Sequence, residues 1–375
     1  MHHPRRKVEF AEVTHIKPDP APIGRMSELE SVITGLHHIT LVTSNEEVNR
    51  RFYTEILGLR RVKLTVNQDD IFHRHLFYAD EKATTGSAIT FFEWPDLPAG
   101  TVGLGSPHHL SYTLPNVDAL SKWEAWLAHN NVPVSGPHLR DQRISLYLRD
   151  PDGVMVELAY PNNEALSEDY IREISSSPPN IQSISQDMRL AIFNHASPLT
   201  SEPELMAKFF EKLLGLQNSF TRPNPDQDGT SILGIGNEER PDFLRYLAYP
   251  KAENGFVGRG SIHHIAMAVN SDEDQKAVMR RLTVLGIKHS GIIDRFYFKS
   301  LYFRDLEGNL LEVATKGPGY NVDEPFDEMG SKLTLPSWLE PERSKIEAYL
   351  TNTDRRNHGT WPPAYPAIRT PPESI

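Results

Sequence analysis

The sequence predicts an α+β protein built from four β-α-β-β-β units in two domains. Three observations carry that reading. Two adjacent histidines head an apolar run at GLHHITLV, SPHHLSYTL and SIHHIAMAV, and each run is followed by a helical pattern. Two units end in a pair of short strands about an acidic-Gly turn, ISLYLRDPDGVMVELAY and KSLYFRDLEGNLLEVAT. His109 to Glu157 and His264 to Glu312 both span 48 residues, so the same residue types recur at one interval.

In the first unit the strand GLHHITLVT runs into SNEEVNRRFYTEILGL, where Ser44 and Glu47 match a capping box and Val48, Phe52 and Ile56 recur at helical spacing. The second unit sets Leu120, Trp123 and Leu127 on one helical face. A weaker third copy runs AIFNHASPLTSEPELMAKFFEKLLGL. In the fourth, Ser271 is the candidate cap and Val278, Leu282 and Leu285 form the stripe. One helix per unit covers one face of its sheet and leaves the other free to close on a partner unit or a ligand.

The Ser- and Pro-punctuated segment 161–189 marks a linker between an N-terminal domain, 35–160, and a C-terminal domain, 190–317. The extension 1–34 and the tail 318–375 lie outside the repeats and are expected to clasp the surface, the tail through a short helix at PERSKIEAYL.

Composition narrows the chemistry. A chain of 375 residues without cysteine excludes disulfides, thiolate catalysis and Cys-ligated metal, leaving His, Asp and Glu as donors. A net charge of −11 with no basic run argues against nucleic acid. No apolar stretch approaches the roughly 20 residues of a membrane span, and no signal-peptide core is present, so a soluble cytoplasmic protein is expected. A homo-oligomer is compatible with these features.

Alternation along a strand sorts the histidines. Ile265, Met267 and Val269 share the helix side, which leaves His264 facing the cup with Ala266 and Ala268. By the same reading His38 and His109 face their concave surfaces, as do Glu312 and Glu157. His195 holds the corresponding place in the third unit, although that unit ends in no convincing carboxylate. Thr90 occupies the first unit's carboxylate position. The residues alone leave His109, Glu157 and His195 open between a second site and structural hydrogen bonding.

These segments, IIDRFYFKSLYFRDLEGNLLEVAT above all, resemble the vicinal oxygen chelate superfamily, and within it the dioxygenases that cleave hydroquinone rings. The resemblance covers most of 35–318, and the tail PSWLEPERSKIEAYL also looks like that family's C-terminus. It implies units paired into cupped mixed sheets and an iron(II) site drawn from the first and fourth units: His38, His264 and Glu312. Manganese(II) or another divalent ion is compatible with the same donors. It further places His37, His263, Arg295 and Tyr302 beside the metal, where they can move protons or hold oxygen and developing charge. The expected partners are a small aromatic diol and dioxygen. Glu93 in FFEWP departs from the proline more usual in the family. Two other functions fit the fold: a glyoxalase-type lyase or isomerase, disfavoured by a threonine at the fourth ligand position, and a metal-free protein that sequesters a small aromatic, disfavoured by retention of all three donors.

Overall fold

The computed structural model describes residues 31–140, 142–162, 165–176, 179–356, 360–368 and 370–374; most of the expected N-terminal extension therefore lies outside the described residues. The first unit comprises β1 (Ile33–Thr43), α1 (Glu46–Arg51) continuing into a π-helical turn (Phe52–Ile56), β2 (Arg60–Asn67), β3 (Asp70–Ala79) and β4 (Ala88–Glu93). The second has β5 (His109–Thr113), α2 (Asp118–His129), β6 (Val134–Arg140), β7 (Arg143–Arg149) and β8 (Met155–Pro161). Within the segment read as a linker stands α3 (Glu168–Ser176), which buries Ile171.

The third unit has β9 (Phe193–Ser197), the two-residue β10 (Leu199–Thr200), α4 (Pro203–Leu214), β11 (Gln217–Pro223), β12 (Ser231–Gly236) and β13 (Leu244–Ala248). The fourth has β14 (Ile262–Val269), α5 (Asp272–Val284), β15 (His289–Asp294), β16 (Lys299–Arg304) and β17 (Leu310–Thr315). In the tail, α6 (Arg343–Arg356) buries Ile346 and Leu350 against Val66 and Leu335, as its amphipathic pattern predicts.

Two curled mixed sheets result, and each joins units from opposite halves of the chain. Units one and four form the order β15-β16-β17-β14-β1-β4-β3-β2, and units three and two form β11-β12-β13-β9-β5-β8-β7-β6. In every unit the first strand lies parallel to the last. The two first strands of a sheet meet antiparallel at its centre, β1 with β14 and β5 with β9. The helices and the convex faces of both sheets share one apolar core, containing Ile39, Leu41, Ile265, Met267, Leu311 and Val313.

Two local expectations are corrected. Asn45, not Ser44, caps α1 by accepting from the Val48 amide at 2.9 Å, because Asp152 of the second unit engages the Ser44 hydroxyl. Leu285 ends α5 exposed, while Val278 and Leu282 are buried behind the predicted Ser271 cap. Among the described residues no helix is long and apolar enough to cross a membrane.

Candidate metal centre

The centre of the first sheet brings His38, His264 and Glu312 to one point. β1 and β14 run antiparallel with Thr40 opposite His264, and β14 runs parallel to β17 with Ala266 beside Glu312. His38 Nε2 lies 3.3 Å from His264 Nε2, and Glu312 Oε2 lies 3.4 Å from the first and 3.0 Å from the second. All three side chains are buried. Three donors bound to one ion at about 2.1 Å stand about 3.0 Å apart at right angles and about 3.4 Å apart at the tetrahedral angle. The observed separations match that range.

The protonation pattern points the same way. His37 Nδ1 is 2.8 Å from His38 Nδ1, so one of the two atoms carries the shared hydrogen. Burial, reinforced by the neighbouring His38, holds the His37 pKa down to about 3. His38 turns its Nε2 to the cluster. Glu312 Oε1 accepts from Ser300 at 2.6 Å, while Oε2 is buried with no hydrogen-bond donor. A buried acceptor left this way costs about 1–3 kcal/mol, a cost that a cation at the cluster removes. The histidine ahead of each candidate ligand thus holds the next ring by its Nδ1.

His263 repeats the arrangement, with Nδ1 2.8 Å from His264 Nδ1 and its pKa lowered to about 3, first by burial and then by His264. Its ring packs against Phe92 and Trp94. Burial also lowers the pKa of His264, against the pull of Glu312. The two histidines together lower that of Glu312 well below the carboxylate range, overcoming burial.

Tyr302 lies edge-on to His264, with ring centroids 5.7 Å apart, and the Arg295 guanidinium sits 5.5 Å from the Tyr302 ring centroid. Asp69 on the loop after β2 clamps Arg295 through two hydrogen bonds of 3.0 and 2.7 Å. Burial and the Glu312 charge raise the Tyr302 phenol above its usual range, with Arg295 opposing them.

Thr90 is no ligand. Its hydroxyl is shared between Thr40 at 2.7 Å and His75 Nε2 at 3.0 Å. His75 is the residue that sequence reasoning missed; it is packed between Phe77 and Phe92, and burial, reinforced by the neighbouring His38 and His264, lowers its pKa. Its signal was the alternation in FHRHLF on β3. Glu93 stands apart from the cluster, paired with Arg74 at 2.8 Å and accepting from the Glu46 amide. A cavity of about 180 Å³ reaches His37, walled by Tyr297, Phe298, Tyr320 and Phe326.

The sequence model of the Glyoxalase/Bleomycin resistance protein/Dioxygenase superfamily matches residues 35–158 and 192–313. The chain belongs to this superfamily. It is 31% identical over 318 residues to MhqA of Bacillus subtilis (strain 168), provisionally named a ring-cleaving dioxygenase, covering 85% of this chain and 98% of that one. It is 27% identical over 332 residues, 86% of this chain and 97% of the relative, to the chlorohydroquinone/hydroquinone 1,2-dioxygenase of Sphingobium indicum. Among solved structures, a Bacillus subtilis protein provisionally named a dioxygenase superposes with a TM-score of 0.71 at 31% identity, covering 85% of this chain and 96% of that one. Glyoxalase I of Zea mays shares the fold, with a TM-score of 0.55 at 16% identity over 75% of this chain and 92% of its own.

Proposed function

We propose that this protein is an iron(II)-dependent dioxygenase that cleaves the ring of hydroquinone-type diols, with His38, His264 and Glu312 as metal ligands. The observation that carries the reading is a buried set of three converging candidate ligands whose fourth position, Thr90, is committed to Thr40 and His75. Two histidines and one carboxylate on one side leave coordination positions for a diol and dioxygen, the preference of non-heme iron oxygenases. The named activities of the relatives agree with it. Bound there, the metal supplies a common electron path between an ionised diol and dioxygen.

The protein's own groups prepare that encounter. His37 and His263 hold the ligand rings by their Nδ1 atoms. Tyr302, kept protonated by burial, offers its phenol proton next to His264. Arg295, fixed by Asp69, remains cationic and faces charge that develops on a substrate oxygen. Phe298 packs on both His37 and His38, with centroids 5.0 and 5.1 Å away, and keeps water from that side.

The test is oxygen uptake after anaerobic reconstitution with ferrous iron. A substituted hydroquinone should consume one dioxygen per ring opened, with an ortho-diol the poorer substrate. Turnover of catechols alone would reassign the substrate class, and no uptake with any diol would favour a lyase of the same fold.

A further inference from the structure

The second sheet repeats the cluster in full. His109 Nε2 lies 3.3 Å from His195 Nε2, and Glu157 Oε2 lies 3.1 Å from His195 and 3.6 Å from His109. The strands correspond: β9 supplies the lone histidine as β1 does, and β5 with β8 supplies the second histidine and the carboxylate as β14 with β17 does. The surroundings correspond as well. His108 Nδ1 stands 2.8 Å from His109 Nδ1, while Asn194 replaces the leading histidine before His195. Tyr147 lies opposite Glu157 as Tyr302 lies opposite Glu312. Arg140 is clamped by Asp226 at 2.8 and 2.7 Å and lies 5.9 Å from the Tyr147 ring, as Arg295 is clamped by Asp69.

The two centres differ in what stands over them. In the second, the C-terminal tail inserts Glu373, fully buried, with Oε1 2.9 Å from the Tyr147 hydroxyl and 3.7 Å from His109 Nε2. The tail backbone is tied down around it: the Glu373 amide donates to Asp226 at 2.9 Å, and its carbonyl accepts from Asn224 at 3.2 Å and from Tyr249. Arg143 pairs with both carboxylates, Glu157 at 3.2 Å and Glu373 at 3.6 Å. One guanidinium thus stands between two buried carboxylates. Glu157 Oε2 and Glu373 Oε2 are both buried without a hydrogen-bond donor, and a partly satisfied buried network of this kind is costly.

We infer that the second sheet holds a second divalent cation, bound by His109, His195 and Glu157 and closed by Glu373 of the C-terminal tail. Three protein donors with open positions suit catalysis, whereas a fourth protein donor makes a closed, structural site. The tail thereby excludes substrate from the second cup and couples its own docking to the metal.

Metal stoichiometry tests this independently of the first site. Protein reconstituted with manganese(II) and desalted should retain two ions per chain, one after His195→Gln and one after His264→Ala, and none after both. In His264→Ala, where only the second centre remains, added manganese(II) should raise the unfolding temperature, and the double variant should not respond. Glu373→Gln should weaken the second ion at least 10-fold in a chelator competition, with the first unaffected. One ion in the wild type, kept in His195→Gln, would overturn the proposal and leave a metal-free ion-pair network. Unchanged affinity of the second ion in Glu373→Gln would remove the tail as a ligand.

Discussion

His37 Nδ1 and His38 Nδ1 stand 2.8 Å apart, and this contact holds the His38 ring with Nε2 toward Glu312. It converts a repeated dipeptide into a device. Each leading histidine spends its ring orienting the next one, so removing it should disturb metal binding while leaving the fold intact. His37→Phe should weaken metal binding about 10- to 100-fold, the usual scale for losing a partner behind a ligand. A titration of apoprotein with manganese(II) reads this directly. Affinity equal to wild type would show that His38 keeps its orientation unaided.

Arg295 lies over the ring of Tyr302, which in turn lies edge-on to His264, and neither supplies a metal donor. Arg295→Leu and Tyr302→Phe should retain metal near the wild-type level and lower turnover by roughly 10²-fold or more. Asp69→Ala should follow Arg295→Leu in direction with a smaller effect, since it frees the guanidinium without deleting it. Wild-type turnover with a lowered melting temperature in the first two would return both residues to structural roles.

Asp150, buried at the turn before β8, accepts from the Val154 amide at 2.8 Å and from the Tyr53 hydroxyl at 3.1 Å. Burial, reinforced by the neighbouring Asp152, pushes its carboxyl up from 3.8 to about 7. A folded-state pKa above the unfolded one means that folding takes up a proton inside that window. Its contribution to stability is therefore full below about pH 4 and is lost as the pH rises through about 7. Asp150→Asn should gain on the wild type between pH 5 and 8, by on the order of 5 °C in melting temperature. A pH-independent offset between the two would contradict this.

Much of the cup was legible because strands alternate. Placing Ile265, Met267 and Val269 on one side was enough to put His264 on the other, and the structure has these three in the core. The 48-residue interval carried Glu312 and Glu157 to equivalent places. What alternation does not encode is which units share a sheet. His195 finds no carboxylate within its own unit, whereas β5 against β9 brings it Glu157 from the preceding one. Glu373 was invisible for a different reason: the tail beyond α6 has no periodicity, and the place of Glu373 is set by contacts with Asp226, Asn224 and Tyr249 far away in sequence. Ser44 failed as a cap for a like cause, since Asp152 competes from another unit.

Whether His38, His264 and Glu312 hold the metal at which the ring is opened is decided by oxygen consumption with a hydroquinone, paired with iron content. Wild type, Glu312→Gln and Glu157→Gln would be compared after identical ferrous reconstitution. Glu312→Gln should lose the first-site iron and reduce oxygen consumption to background while keeping the wild-type circular dichroism spectrum, and Glu157→Gln should still consume oxygen. Undiminished consumption in Glu312→Gln, with loss in Glu157→Gln, would place the chemistry in the other sheet and overturn the assignment.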